Sequence, residues 1–148
     1  MKPEDIRNIA LVGHSGSGKT SLGEACLHFT GATKRLGKVD DGSSILDCAD
    51  EEKEKKQSQQ SHVCSVDYEG KHINIVDTPG LADFSGHAVP SLSAVETAVV
   101  VVSAVAGIEV NTRKMIERAR EYGIGVIIAV NKMDADNVDL AEVVEHLQ

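Results

Sequence analysis

Hydrophobic positions fall into short runs along the chain, separated by polar and glycine-rich turns. Asn8-Ile9-Ala10-Leu11-Val12 is apolar after Asn8 and ends at Gly13, which reads as a buried strand. Residues 20–30 follow with helical spacing at Leu22, Ala25, Cys26 and Phe29. Residues 63–68 and 72–76 alternate with period two around Glu69-Gly70, which predicts a hairpin. Residues 98–102 and 126–130 are unbroken apolar runs, the pattern of parallel strands covered on both faces. Between them, residues 111–122 have the spacing of a helix, with Met115, Ile116 and Ala119 inward and Arg113, Lys114, Glu117 and Arg118 outward. A last helix is expected over residues 138–147.

The stretch from Gly31 to Ser61 is different in kind. Its second half, residues 50–61, holds only acidic, basic, Gln and Ser side chains, so it predicts a mobile loop or a solvated helix. Strands separated by helices, with one antiparallel hairpin, predict a three-layer α/β/α domain over residues 1–148, its sheet mostly parallel. No internal repeat or linker interrupts it.

Composition narrows the function. The 148 residues are 41% hydrophobic and 26% charged, with a formal net charge of −8. That balance excludes wholesale disorder and a simple cationic binder of DNA or RNA. The run Thr97–Ala106 is about half of the ~20 apolar residues that span a bilayer. No membrane association is expected. Cys26, Cys48 and Cys64 have neither disulfide-framework nor zinc spacing, so free thiols in a reducing compartment, the cytoplasm, are expected.

Three segments carry chemistry. Gly13-His14-Ser15-Gly16-Ser17-Gly18-Lys19-Thr20, followed by Ser21, satisfies the phosphate-binding pattern G-x-x-x-x-G-K-[ST] between a strand and a helix. Its glycines let backbone N–H groups wrap phosphate oxygens, Lys19 reaches the β- and γ-phosphates, and the Thr20 hydroxyl suits Mg²⁺. Asp77-Thr78-Pro79-Gly80 follows the strand of residues 72–76. A carboxylate there holds Mg²⁺, and the Gly80 N–H meets a γ-phosphate. Asn131-Lys132-Met133-Asp134 follows the strand of residues 126–130. Asp134 can accept from N1–H and the exocyclic amine of guanine, and adenine offers neither donor there. Asn131 bonds the base edge and the Lys132 stem covers the ring. An adenine would leave the carboxylate unpaired, which argues against an ATPase.

Together these motifs resemble the G domain of a translational GTPase, most closely elongation factor G and its relatives. The similarity also takes in Ile6-Arg7-Asn8-Ile9-Ala10, Gly31 with Gly37-Lys38-Val39 and Asp41-Gly42, and Asp83-Phe84. The resemblance implies GTP and GDP as ligands, Mg²⁺ as cofactor, and hydrolysis with Lys19 and Gly80 at the reacting phosphate. Residues 50–61 then correspond to switch I, within a mobile switch I-like segment of about 31–61, and 77–90 to switch II, with order depending on γ-phosphate and Mg²⁺. A longer protein acting on the ribosome is implied, and this chain is expected to be its N-terminal fragment, without the G domain's final strand and helix. The apolar strand 126–130 is then an edge open to self-association.

Three residues depart from the family. His14-Ser15-Gly16-Ser17 stands where the family has His-Ile-Asp-Ala, and the aspartate is lost. Leu81 replaces the histidine that positions the attacking water, and leucine makes no hydrogen bond. The family's Mg²⁺-binding switch I threonine aligns with Ser58, between Gln57 and Gln59 rather than apolar neighbours. His87, at the start of a helix, is a candidate substitute for the lost histidine. A nucleotide switch with little hydrolysis is therefore an alternative to a GTPase, as is a release- or ribosome-protection-type factor.

Overall fold

A computed structural model describes the backbone of residues 1–136, 138 and 140–147, and their side chains except at positions 85, 140, 142, 146 and 147. After a short 3-10 turn, the elements in chain order are β1 (Ile6–Val12), α1 (Lys19–Phe29), α2 (Asp50–Lys55), β2 (His62–Tyr68), β3 (Lys71–Asp77), α3 (Ser85–Leu92), β4 (Thr97–Ser103), α4 (Val110–Glu121), β5 (Gly125–Asn131) and α5 (Leu140–Leu147). Each strand expected from the apolar runs is present. Ends differ by a residue or two, and α5 starts two positions later than the spacing suggests.

The five strands form one sheet in the order β2-β3-β1-β4-β5. All neighbours are parallel except β2 with β3. Glu69 (φ 47°) and Gly70 (φ 76°) both sit in the left-handed region, the requirement of the two-residue hairpin turn whose twist matches the strands it joins.

Alternate residues of the central strands supply two cores. Ala10, Val12, Ala98, Val100 and Val102 face Leu92 of α3 and Met115 and Ala119 of α4. Leu11 and Ile75 face Leu27 of α1 and Leu46 on the opposite side. Helices thus cover both faces of the central strands, as their unbroken apolar runs demand, whereas β5, expected to be covered likewise, is exposed from Gly125 to Ile128 because it lies at the edge of the sheet. Burial deepens toward the carboxyl ends of β1, β3 and β4. Those ends lie together, forming the crevice where open α/β sheets bind ligands.

The polar segment is more firmly attached than its composition suggests. Its helix, α2, has a solvated outer face, but Glu52 is only 1% exposed, and Ser44, Leu46 and Asp47 are buried as well. Glu24 of α1, fully buried, accepts from the Ser44 hydroxyl at 2.9 Å and the Leu46 N–H at 3.0 Å. The anchors are mainly carboxylates satisfied by backbone and hydroxyl donors, which hydropathy alone reads as surface. α3 was legible only as the helix expected at His87, because Gly86 and Pro90 interrupt any apolar spacing.

Candidate nucleotide site

The phosphate loop begins where β1 ends. At Gly13 (φ 140°) a Cβ would lie 2.5 Å from the Val101 carbonyl oxygen, so the turn out of the sheet requires glycine. Gly18, in the left-handed region, opens α1. Lys19 folds back over the loop, its Nζ donating to the His14 carbonyl at 2.9 Å. Burial pushes the Lys19 pKa down, against the opposing pull of Asp77 and Glu109.

A cavity of about 280 Å³ opens beside this loop. Ser15, Gly16, Gly18, Lys19, Thr20 and Ser21 line one side, and Ser58, Gly80 and Lys132 also reach its wall. Gly13, His14 and Ser17 stand outside that wall. The His14 ring pairs with Glu109 at 3.3 Å, and Ser17 is buried with its hydroxyl unpartnered among the described residues.

Four oxygen-bearing side chains meet beside the cavity, Thr20 and Ser58 on its wall and the buried Asp77 and Asp47 bonded to them. The Thr20 hydroxyl donates to Asp77 Oδ2 at 2.7 Å and lies 3.0 Å from the Ser58 hydroxyl. Ser58 in turn donates to Asp47 Oδ1 at 2.7 Å. Two hydroxyl protons therefore serve three contacts, while Asp77 Oδ1 and Asp47 Oδ2 are buried without partners. Burial pushes Asp77 up to about 6, with the Thr20 hydroxyl and Lys19 opposing the rise and Asp47 adding to it. Burial also raises Asp47, despite its bond from Ser58. Such a set lacks positive charge and consists of hard oxygen donors, which fits a divalent cation of the Mg²⁺ type. Among the described residues no cluster of three or more His, Cys, Asp or Glu side chains could hold a metal; here two of the donors are hydroxyls. The sequence reading named Thr20, Asp77 and Ser58 but missed Asp47, an acid whose only signal was its place beside the apolar Leu46.

Glu52 puts Ser58 in this position. Its carboxylate accepts from the N–H groups of Gln59 at 2.8 Å and Gln60 at 3.1 Å, and contacts His62 Nε2 at 2.9 Å. Burial works to raise the Glu52 pKa, but these donors and the Ala49 N–H outweigh it and hold the carboxyl below its ordinary value.

After β3, Gly80 packs directly on the phosphate loop. A Cβ there would lie 2.5 Å from the Ser15 nitrogen and would also strike the Lys19 ammonium. The Gly80 carbonyl accepts a 2.6 Å hydrogen bond from the buried amide of Asn111, at the start of α4, another contact that the sequence did not reveal. Leu81 is half-buried beside it. His87 is exposed and absent from the cavity wall, so the structure does not bring it to the phosphate loop.

The third motif divides. Asn131 Nδ2 donates to the Ser17 carbonyl at 3.0 Å, and Lys132 (φ 61°) lines the cavity. Asp134 is exposed on the turn beyond and not on the cavity wall.

The elongation factor Tu GTP binding domain profile matches residues 4–148. The chain belongs to that family. The resulting fold is a P-loop GTPase G domain, mostly parallel with one antiparallel pair. This translational GTPase domain is 37% identical over 147 residues to a mitochondrial ribosome-releasing factor 2 of Debaryomyces hansenii, covering 99% of the chain and 17% of the relative. It is 36% identical over 143 residues to elongation factor G 2 of Syntrophus aciditrophicus, covering 97% and 21%. A crystal structure from Thermus thermophilus superposes with a TM-score of 0.92 at 37% identity, over 96% of this chain and 21% of that one. The chain thus spans about a fifth of the length of the relatives it matches. No helix among the described residues is long and apolar enough to cross a membrane.

Proposed function

We propose that residues 1–148 form a GTP-binding domain that takes GTP or GDP with Mg²⁺ and hydrolyses GTP slowly, with residues about 31–61 acting as its switch I. The observation that carries this reading is the Thr20–Asp77–Ser58–Asp47 cluster, short of positive charge, directly beneath the phosphate loop. In this reading, loop N–H groups and Lys19 hold the β- and γ-phosphates. The Thr20 and Ser58 hydroxyls and the Asp77 carboxylate hold Mg²⁺, with Asp47 as a further acceptor. When bound, the cation neutralises charge on the phosphates. The Gly80 N–H meets the γ-phosphate, and Asn131, Lys132 and Asp134 receive guanine.

Leu81 favours the weaker form of this function, a switch that holds nucleotide with little hydrolysis, because leucine cannot orient water. We further propose that the longer protein works on the ribosome in the cytoplasm, in elongation or in ribosome release like the relatives named above. A release- or protection-type role is the alternative.

Affinity for a fluorescent GDP analogue, measured with and without Mg²⁺, tests the site. Wild-type protein is expected to bind at least about tenfold more tightly with Mg²⁺, and Thr20→Ala and Asp77→Asn to lose that difference. A wild-type affinity indifferent to Mg²⁺ contradicts the reading.

A further inference from the structure

Lys56 has no role in the site described so far. It caps the C-terminus of α2 in the left-handed region, φ 53° and ψ 39°, a conformation that residues other than glycine and asparagine seldom take. Single residues held there persist where their surroundings over-determine them, and they cluster at functional sites. The surroundings here do so. The Lys56 and Gln57 N–H groups both bond the Glu52 carbonyl, while the Glu52 carboxylate grips the Gln59 and Gln60 N–H groups. A single buried residue thus holds the chain on both sides of Ser58.

The consequence is the placement of the lysine. Lys56 lines the same cavity as Lys19, Ser58 and Gly80. Among the described residues it makes no side-chain hydrogen bond and no ion pair, although the chain carries 23 acidic side chains. One carboxylate on the cavity wall, Asp40, is not paired with it either. Lys56 is exposed and reaches the wall of a polar cavity that a lysine of the phosphate loop also lines, and an ammonium without an ion pair there suits an anionic ligand.

We infer that Lys56 is a second cation for the terminal phosphate of a nucleoside triphosphate, brought to the cavity by the docked switch I segment. This rests on the nucleotide reading above and assigns the segment a charge as well as a hydroxyl. Lys19 and the loop N–H groups serve the diphosphate that GTP and GDP share. Lys56 and Ser58 share the cavity wall with Gly80, whose N–H meets the third phosphate in that reading. Its contribution therefore separates GTP from GDP.

The test is equilibrium binding, in Mg²⁺, of fluorescent GDP and a fluorescent non-hydrolysable GTP analogue to the full chain and to Lys56→Gln, Lys56→Arg and Lys56→Gly. The expected result is about a tenfold loss of triphosphate affinity in Lys56→Gln, with GDP affinity changed less than about twofold and triphosphate affinity recovered in Lys56→Arg. A tenfold change corresponds to about 1.4 kcal/mol. Lys56→Gly relieves the left-handed backbone while removing the charge, so it must lose triphosphate affinity as Lys56→Gln does. Unchanged triphosphate affinity in Lys56→Gln overturns the inference. So does an equal loss for both nucleotides, which would make Lys56 a support for the segment. Wild-type protein that binds neither nucleotide would instead contradict the nucleotide reading and the inference with it.

Discussion

The amide of Asn131 donates a 3.0 Å hydrogen bond to the carbonyl of Ser17, joining the end of β5 to the phosphate loop. The motif read for base recognition is therefore also tied to the loop read for phosphate binding. Asn131→Ala is expected to lower unfolding free energy by about 1 kcal/mol in nucleotide-free protein, the usual net value of one such bond. Urea denaturation without nucleotide checks this. A variant as stable as wild type would mean that the bond does not hold the loop.

Glu52 gives the clearest pH dependence. Its carboxyl is held below the ordinary 4.5, so its contribution to stability is present above that value and is lost as pH falls through the lower, folded-state pKa. Glu52→Gln is expected to cost about 1–3 kcal/mol at neutral pH, since it removes a buried acceptor from several donors. The difference from wild type should shrink as pH falls below 4.5 and through the lower, folded-state pKa. Paired denaturation curves at neutral and acid pH measure it, and a difference that grows on acidification would contradict the assignment.

Glu52 marks where sequence legibility ended. The strands and their order of appearance were readable because buried parallel strands are continuous apolar runs and the hairpin alternates strictly. The phosphate loop and the acidic turn after β3 were readable because ligand chemistry demands those residue types at the ends of those strands. Asp47, Glu52, Glu24 and Asn111 were not. Each is a polar side chain whose burial depends on donors or acceptors brought to it by the fold, from Gln59 and Gln60 for Glu52 to Ser44 for Glu24 and Gly80 for Asn111. No local period encodes such pairings.

Leu81 stands next to Gly80, at the position where the family resemblance expects a water-positioning histidine. Leu81→His is expected to raise the single-turnover GTP hydrolysis rate, provided that water orientation limits the reaction. Unstimulated small GTPases turn over at only ~10⁻⁴–10⁻³ s⁻¹, so the comparison between variant and wild type is informative where the absolute rate is not. An unchanged rate would assign the limit to another group.

β5 is the last strand of the sheet, and Val126, Ile127 and Ile128 are exposed, Ile127 by 57%. Open apolar edges pair with other chains. This chain is expected to self-associate as concentration rises, and Ile127→Lys to reduce that association. Light scattering over a concentration series tests the claim, and a wild-type monomer throughout would refute it.

The central claim is that the cavity between the phosphate loop and the turn after β5 receives a guanine nucleotide. Competition for a bound fluorescent GDP analogue, in Mg²⁺, addresses it most directly. GTP should displace the analogue and ATP should not, and Asp134→Ala should weaken GTP far more than ATP. Equal displacement by ATP, in wild type, would contradict guanine recognition by Asn131 and Asp134.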